Sequence, residues 1–521
     1  MKNRVHKKSA LAQTAPLILA AHDRGESLLW GRYEEQLPQC AFTANGLNCR
    51  KCFQGPCRIN PFGDQPTQGV CGADRDQIVM ENFFQPTLEG VLETARSISS
   101  IDKSLGGQEI FDLDSDLPQE TRKRLAGHGI LPVRKAQLLE VQNSYFSHKG
   151  FLSQTLKDLT RLGLIHYGLL KGLEKSLSSL GQDEFSYDPE GANLLIVGQP
   201  FFGHLLTLQK KVQDRMGGKK VNLWLQGNRG VPIFPSFPDH GSPEIALTMG
   251  LDALIIYPNA YLPSLEGLSR KWEIPVLLPE EAGTIESFVE EAIDMALDHR
   301  KKNASLPASR VPFPAARSPF SIFDRVKEVQ AALNAGRVRG ILLIWSEPNV
   351  KQAFFERTLT LMETALNQEL IILVGGAAVA QANLLNEELA RRTGKKTDDI
   401  SGTGIRSLNY LTCWAEIPKF IKLLRTLNSE KEFSQMPVVV AFPEFSRTST
   451  WAAAVSFLSL GFSVQLGTQL PFWGSPSLAE VILKDWPAVS GGILLTSPSL
   501  PDGHAQAQEM ISHIQSRSFE K

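Results

Sequence analysis

Five of the six cysteines in this 521-residue chain lie between Cys40 and Cys71. Cys49, Cys52, Cys57 and Cys71 follow the spacing C-x2-C-x4-C-x13-C, and Cys40 stands nine positions ahead of the first. Two thiolates from one turn, a third just beyond it and a fourth that closes a loop can surround one small inorganic core. Zinc and an iron-sulfur cluster both use cysteine sets of this size, and unligated thiols are the simplest alternative. A zinc ribbon brings two close C-x2-C pairs, whereas here only Cys49 and Cys52 are close, so the spacing favours a [4Fe-4S] cluster. Gly55-Pro56 sets a turn before Cys57, and Gly69 and Gly72 flank Cys71, which lets backbone N–H groups approach cluster sulfides. Arg50, Lys51 and Arg58 offset the charge of the thiolates.

Other residues offer less chemistry. His204 and His240 lie in loops and, with Cys413, could form a second metal site, but hydrogen-bonded or solvent-facing histidines explain them more simply. Gly402-Thr403-Gly404 is similar to a dinucleotide loop yet stands between no convincing strand and helix, so a plain turn is expected. Cys413 alone reads as a buried apolar residue, and Arg391 to Lys396 as the solvated end of a helix.

Composition narrows the classes further. The chain has 54 basic and 55 acidic residues and is 42% hydrophobic, which gives no electrostatic footprint for nucleic acid or an anionic membrane. The apolar run 16–21 is short for a signal segment, and no stretch approaches the ~18–20 apolar residues of a membrane span. A cytoplasmic protein is expected, and in that reducing compartment clustered cysteines serve as metal ligands more often than as disulfides.

The elements that must position the cysteines follow from periodicity. Residues 1–190 read as a helical domain around the cysteine segment. Asp74 to Ile98 has helical spacing, with Pro86 expected to end or kink the helix, and a leucine stripe from Leu152 to Leu169 lies within a helical pattern over 137–180. From residue 191 short buried-strand candidates alternate with helices: 193–197, 221–225, 253–257 and 275–278, in a first Rossmann-like unit over 191–305. Four prolines in 306–320 mark a linker. A second Rossmann-like unit over 321–521 has strands at 340–345, 370–374, 437–442, 462–466 and 493–496. The expected fold class is therefore α/β, a helical domain followed by two doubly wound parallel sheets. Ligands collect at the carboxyl ends of such strands, which draws attention to the loops 198–203, 226–240, 258–263, 375–378 and 442–447.

The run CRKCFQGPCRI followed by GVCGAD, preceded by WGRYEEQLPQCAF, resembles the amino-terminal cluster segment of the nickel-iron carbon monoxide dehydrogenases, relatives of the hybrid-cluster proteins. Residues 251–265 and 443–476 are similar to family segments of the middle and last domains. The resemblance implies that Cys49, Cys52, Cys57 and Cys71 hold the in-subunit [4Fe-4S] relay cluster. It also matches Cys40 to one of two cysteines per subunit that hold a further cluster at a dimer interface. The second position is Asn48, so an interface cluster through Cys40 would need ligands other than cysteine and is doubtful. The family's nickel-iron-sulfur active centre takes about five cysteines and a histidine from the two Rossmann-like domains. Here the matching positions carry Ala260, Gly376-Ala377, a thiol-free loop at 224–229 and Gln199; Cys413 alone matches a cluster cysteine, and Ser449 stands at the catalytic lysine.

One thiolate cannot replace five in a sulfide cluster. Nickel is not expected, no catalytic residue is assigned, and CO oxidation is not expected. The resulting expectation is an anaerobic iron-sulfur electron-transfer protein, a homodimer like its family, that exchanges electrons with a donor or acceptor protein or within a larger oxidoreductase complex. An oxidoreductase with a remodelled metal or small-molecule site in the Rossmann cleft, or a redox or gas sensor, are the alternatives.

Overall fold

The computed structural model describes residues 8–519 apart from 102–109, 147–151, 179–186, 199–206, 209, 213, 215–220, 227–236, 238–239, 248–249, 258–261, 280–283, 304–321, 395–405, 412 and 497–501. The expected linker at 306–320, the positions Gln199, His204 and Ala260, and the turn 402–404 lie outside the described residues, as do parts of three of the five loops named above.

In the amino-terminal region a ribbon of two-residue strands, β1 (Asn48–Cys49) and β2 (Cys57–Arg58), precedes the helix Gln119–Gly127 and three helices that wall the site. These three are α1 (Arg75–Ile101), α2 (Gln137–Phe146) and α3 (Leu152–Ser178). The leucine stripe of α3 is core-facing: Leu156, Leu159, Leu162, Leu164 and Leu169 are buried. Of the two outcomes expected at Pro86, an end or a kink, the end does not occur: α1 runs unbroken past it. An interior proline costs ~3 kcal/mol, and packing around it offsets that cost. Thr87, the next residue, accepts a hydrogen bond from Trp451 Nε1 at 2.7 Å.

Beyond residue 191 the chain forms two fully parallel sheets. The smaller has the order β4-β3-β5-β6, from β3 (Ala192–Val197), β4 (Val221–Leu225), β5 (Ala253–Ile256) and β6 (Val276–Leu277). The larger comprises β7 (Gly340–Ser346), β8 (Leu370–Gly376), β9 (Leu408–Tyr410), β10 (Val438–Phe442), β11 (Ser463–Leu466) and β12 (Ile493–Leu495). Its order β12-β11-β10-β7-β8-β9 reverses between β7 and β10, which is the doubly wound order with one switch point. Strand β9 is the one the periodicity did not indicate, three residues at the sheet edge.

Alternate residues of the larger sheet enter different cores. Ile341, Leu343 and Trp345 of β7 join the core shared with α1 and α3. Leu342 and Ile344 point the other way, into a core shared with β3, β5 and the amino-terminal residues Leu11, Ala15, Ile18 and Trp30. The first helices, Thr14–Asp23 and Leu29–Glu35, thus pack on the sheet side, and Ala10 N–H donates to Phe354 O at 2.9 Å.

Helix α4 (Thr448–Leu460) joins the halves. From Thr450 to Leu460 every side chain is buried, as expected of a helix that is apolar all round. It packs against both α1 and α3. Small residues permit the approach: a Cβ on Gly90 of α1 would lie 2.1 Å from Thr448 O, and one on Gly163 of α3 would lie 2.6 Å from Val455 O.

Candidate metal centre

Strands β1 and β2 pair antiparallel with Cys49 opposite Cys57 and Asn48 opposite Arg58. Cys52 sits in the turn between them, where Gly55 N–H donates to Cys52 O at 3.2 Å. A Cβ on Gly55 would already meet Cys49 O and Cys57 N at 3.2 Å, so the tight turn suits glycine. The chain then doubles back. Asn60 N–H donates to Pro66 O at 3.0 Å and Gly69 N–H to Ala73 O at 2.8 Å, with Gly72 at φ +89°. This return brings Cys71 beside the ribbon, and Val70 N–H donates to Cys57 Sγ at 3.4 Å.

All four cysteines line one small cavity, together with Lys51, Gly55, Gly69, Ala73 and Ile78. Burial pushes the Cys49 thiol up, and the nearby Glu81, Cys57 and Cys71 add to this against the Lys51 backbone N–H. Binding to a metal would reverse that shift, because a coordinated thiol is deprotonated outright. Among the described residues no three His, Cys, Asp or Glu side chains converge so as to hold a single metal ion. The four thiols share this cavity, and the residues that line it could hold a small metal group.

The surroundings fix this loop to α1. The Asn82 amide nitrogen lies 2.8 Å from Gly46 O, 2.7 Å from Asn48 O and 3.0 Å from Ile78 O, tying the ribbon to the helix. Lys51 pairs with Glu81 at 2.9 Å and lies 4.3 Å from the centre of the Tyr145 ring. Asn82 and Tyr145 were not singled out from the sequence, since an asparagine and a tyrosine in helices carry no spacing signal.

Cys40 is exposed and apart from this cavity. A hydrogen bond from Thr43 lowers its thiol pKa, and Asn48 Nδ2 lies 4.0 Å from its Sγ. The structure thus sets Asn48 beside Cys40, and the asparagine amide also donates to Thr43 Oγ1 at 2.7 Å.

At the carboxyl ends of β7 and β8 side chains pack closely. Trp345, near the end of β7, stacks on Trp414 with ring centroids 3.8 Å apart. A Cβ on Gly375 would lie 2.4 Å from the Trp345 ring, and one on Gly376 2.9 Å from its Nε1. Cys413, beside Trp414, is buried in the apolar core. His240 is buried elsewhere, with Nδ1 3.0 Å from Thr14 Oγ1, and burial lowers its pKa to about 4. Among the described residues neither it nor Cys413 belongs to a group of three or more side chains that could hold a metal ion. Ser449 lies in the first turn of α4.

The Prismane/CO dehydrogenase family model matches residues 47–118 and 273–500. Carbon monoxide dehydrogenase 1 of Methanosarcina acetivorans is 23% identical over 626 aligned positions, which cover 99% of this chain and 98% of that protein. More than a hundred of those positions face gaps in the 521-residue chain. Carbon monoxide dehydrogenase 2 of Carboxydothermus hydrogenoformans is 21% identical, covering 98% of each. Among solved structures, carbon monoxide dehydrogenase IV of Carboxydothermus hydrogenoformans superposes with a TM-score of 0.76 at 18% identity, covering 98% of this chain and 99% of that one. No helix among the described residues is long and apolar enough to cross a membrane.

Proposed function

Because the chain belongs to the Prismane/CO dehydrogenase family, we propose that it is an iron-sulfur redox protein that keeps a relay cluster and has lost the nickel centre. Cys49, Cys52, Cys57 and Cys71 would hold a [4Fe-4S] cluster, which supplies one-electron transfer when bound. The observation that carries the reading is the single cavity lined by these four cysteines and backed by Lys51. Val70 N–H, already directed at Cys57 Sγ, would help set the potential.

Loss of the nickel site is supported by the stacked Trp345 and Trp414 where the sheet would offer a crevice, and by Ala377 and Ser449 at positions where the resemblance calls for ligand and lysine. On this reading the chain oxidises no CO and passes electrons to or from a protein partner in the cytoplasm. The helical region, the two sheet units and the linker at 306–320 would be its domains. Phe53 (110% exposed), Phe62 (89%) and Val70 (66%) surround the cysteines with apolar surface, which supports a homodimer that covers this face. An interface cluster through Cys40 is not part of the proposal, because Asn48 supplies no second thiolate.

Anaerobic purification with iron, sulfide and nickel analysis and EPR tests the reading. The expected result is about four irons per chain with no nickel, reduced in Cys57→Ser and Cys71→Ser. About eight or more irons with nickel, or turnover of CO by nickel-loaded protein, overturns it.

A further inference from the structure

A second cavity of about 310 Å³ adjoins the cysteine cradle, between the cluster loop and helices α1, α2 and α3. Lys51, Cys71 and Ala73 line both spaces, so a molecule filling the larger one touches a residue that also faces the cluster position. Its size is at the lower end of the ~300–1,000 Å³ range of small-molecule sites, which admits one or two fused rings. The walls are mixed. Met80, Phe84 and Leu152 supply apolar surface, and the Phe84 and Tyr145 rings stack with centroids 5.5 Å apart.

Charge defines what the cavity accepts. Lys51 is opposed by Glu81 at 2.9 Å, and Asp158 brings a second carboxylate that accepts from Arg161 Nη1 at 2.8 Å and Gln154 Nε2 at 3.0 Å. Among the described lining residues the one cation, Lys51, is already paired with Glu81, and the Asp158 carboxylate with Arg161. Phosphates and carboxylates are disfavoured there, and a neutral ring is not. For the edge of such a ring the wall offers donors: the Lys51 ammonium, and the NH2 group of Gln77, whose Oε1 accepts from Asp74 N–H at 3.1 Å. Carbonyl oxygens are the acceptors that match.

We propose that this cavity is a binding site for a neutral one- or two-ring quinone, held against Cys71 so that it exchanges electrons with the cluster. The redox half of the proposal rests on the relay reading above. The quinone takes two electrons and two protons to become the hydroquinone. The electrons arrive singly, each from one reduced cluster that returns to its oxidised form, a protein electron donor re-reduces the cluster between them, and the protons come from solvent.

Menadione is the probe, and Thr155→Trp and Ser144→Trp are two independent variants that fill the cavity from its rim. Calorimetric titration of the full-length protein, cluster-loaded and iron-depleted, should show one saturable site in the wild type. Affinity should fall at least tenfold in both variants, with the iron content and visible spectrum of the loaded forms unchanged. Stopped-flow oxidation of dithionite-reduced protein should saturate with menadione in the wild type and rise linearly in the variants. Absence of binding, or equal binding in wild type and both variants, overturns the site. If the protein carries no cluster, iron analysis reports that separately; binding to iron-depleted protein still decides the site, while the electron exchange falls with the relay.

Discussion

Asn82 shows how one side chain can hold the cysteine loop in place. Its amide bridges the carbonyls of Gly46 and Asn48 to α1. Asn82→Ala should cost about 1–3 kcal/mol, the cost of leaving buried carbonyls unsatisfied, and should speed iron loss to a chelator; chemical denaturation and chelator kinetics read both. Two buried titratable groups pull stability in opposite directions. Glu444 is fully buried and burial raises its pKa to about 7, although Phe355 N–H and the Thr358 hydroxyl donate to it. A raised carboxyl contributes stability that is complete below its unfolded value of 4.5 and is lost as pH rises through about 7. Glu444→Gln should therefore flatten the decline in denaturation midpoint between pH 6 and 8, a range set around that value. Burial lowers His166 to about 3, between Ser456 Oγ at 2.7 Å and Thr94 Oγ1 at 3.1 Å. Its contribution is complete above 6.5 and is lost as pH falls toward 3, so acid unfolding should be less steep in His166→Asn.

At the scale of elements, the contact of α1 and α3 with α4 depends on glycines that leave no room for a methyl group. Gly163→Ala should destabilise by about 1–3 kcal/mol through overpacking, measured by thermal or urea denaturation, because its Cβ would strike Val455 O and Ser459 Oγ. The same packing explains where sequence reasoning stopped. Apart from β9, the strands of both sheets were legible because buried parallel strands are continuous apolar runs, as in GILLIW over 340–345 and PVVVAF over 437–442. The passage of α1 through Pro86 was not legible, since local preference opposes it and the helix packs there against distant chain, as in the bond from Trp451 to Thr87, 364 positions apart. For the candidate metal centre, spacing singled out the four cysteines that line one cavity. The register of Cys49 against Cys57, the clamp by Asn82 and the adjoining cavity come from tertiary packing that no short spacing encodes. The stacking of Trp345 on Trp414 likewise joins residues from β7 and from beyond β9.

For the whole molecule, the apolar rim of the cysteine face predicts assembly. The native mass should be twice the 57.5 kDa of one chain by analytical ultracentrifugation, and Phe53→Glu should shift it toward one chain. A different consequence follows from the buried helix α4. The apolar faces of α1 and α3 are complete once residue 178 is made, but the helix that covers them ends at residue 460. At ~5–20 residues per second that interval on the ribosome lasts roughly 15–60 s. Throughout it the helices are committed to a partner not yet synthesised, and a nascent chain stalled before residue 448 should be a ready client for chaperones. The cysteine loop is tied to α1, so it too waits for the end of translation before its scaffold is complete.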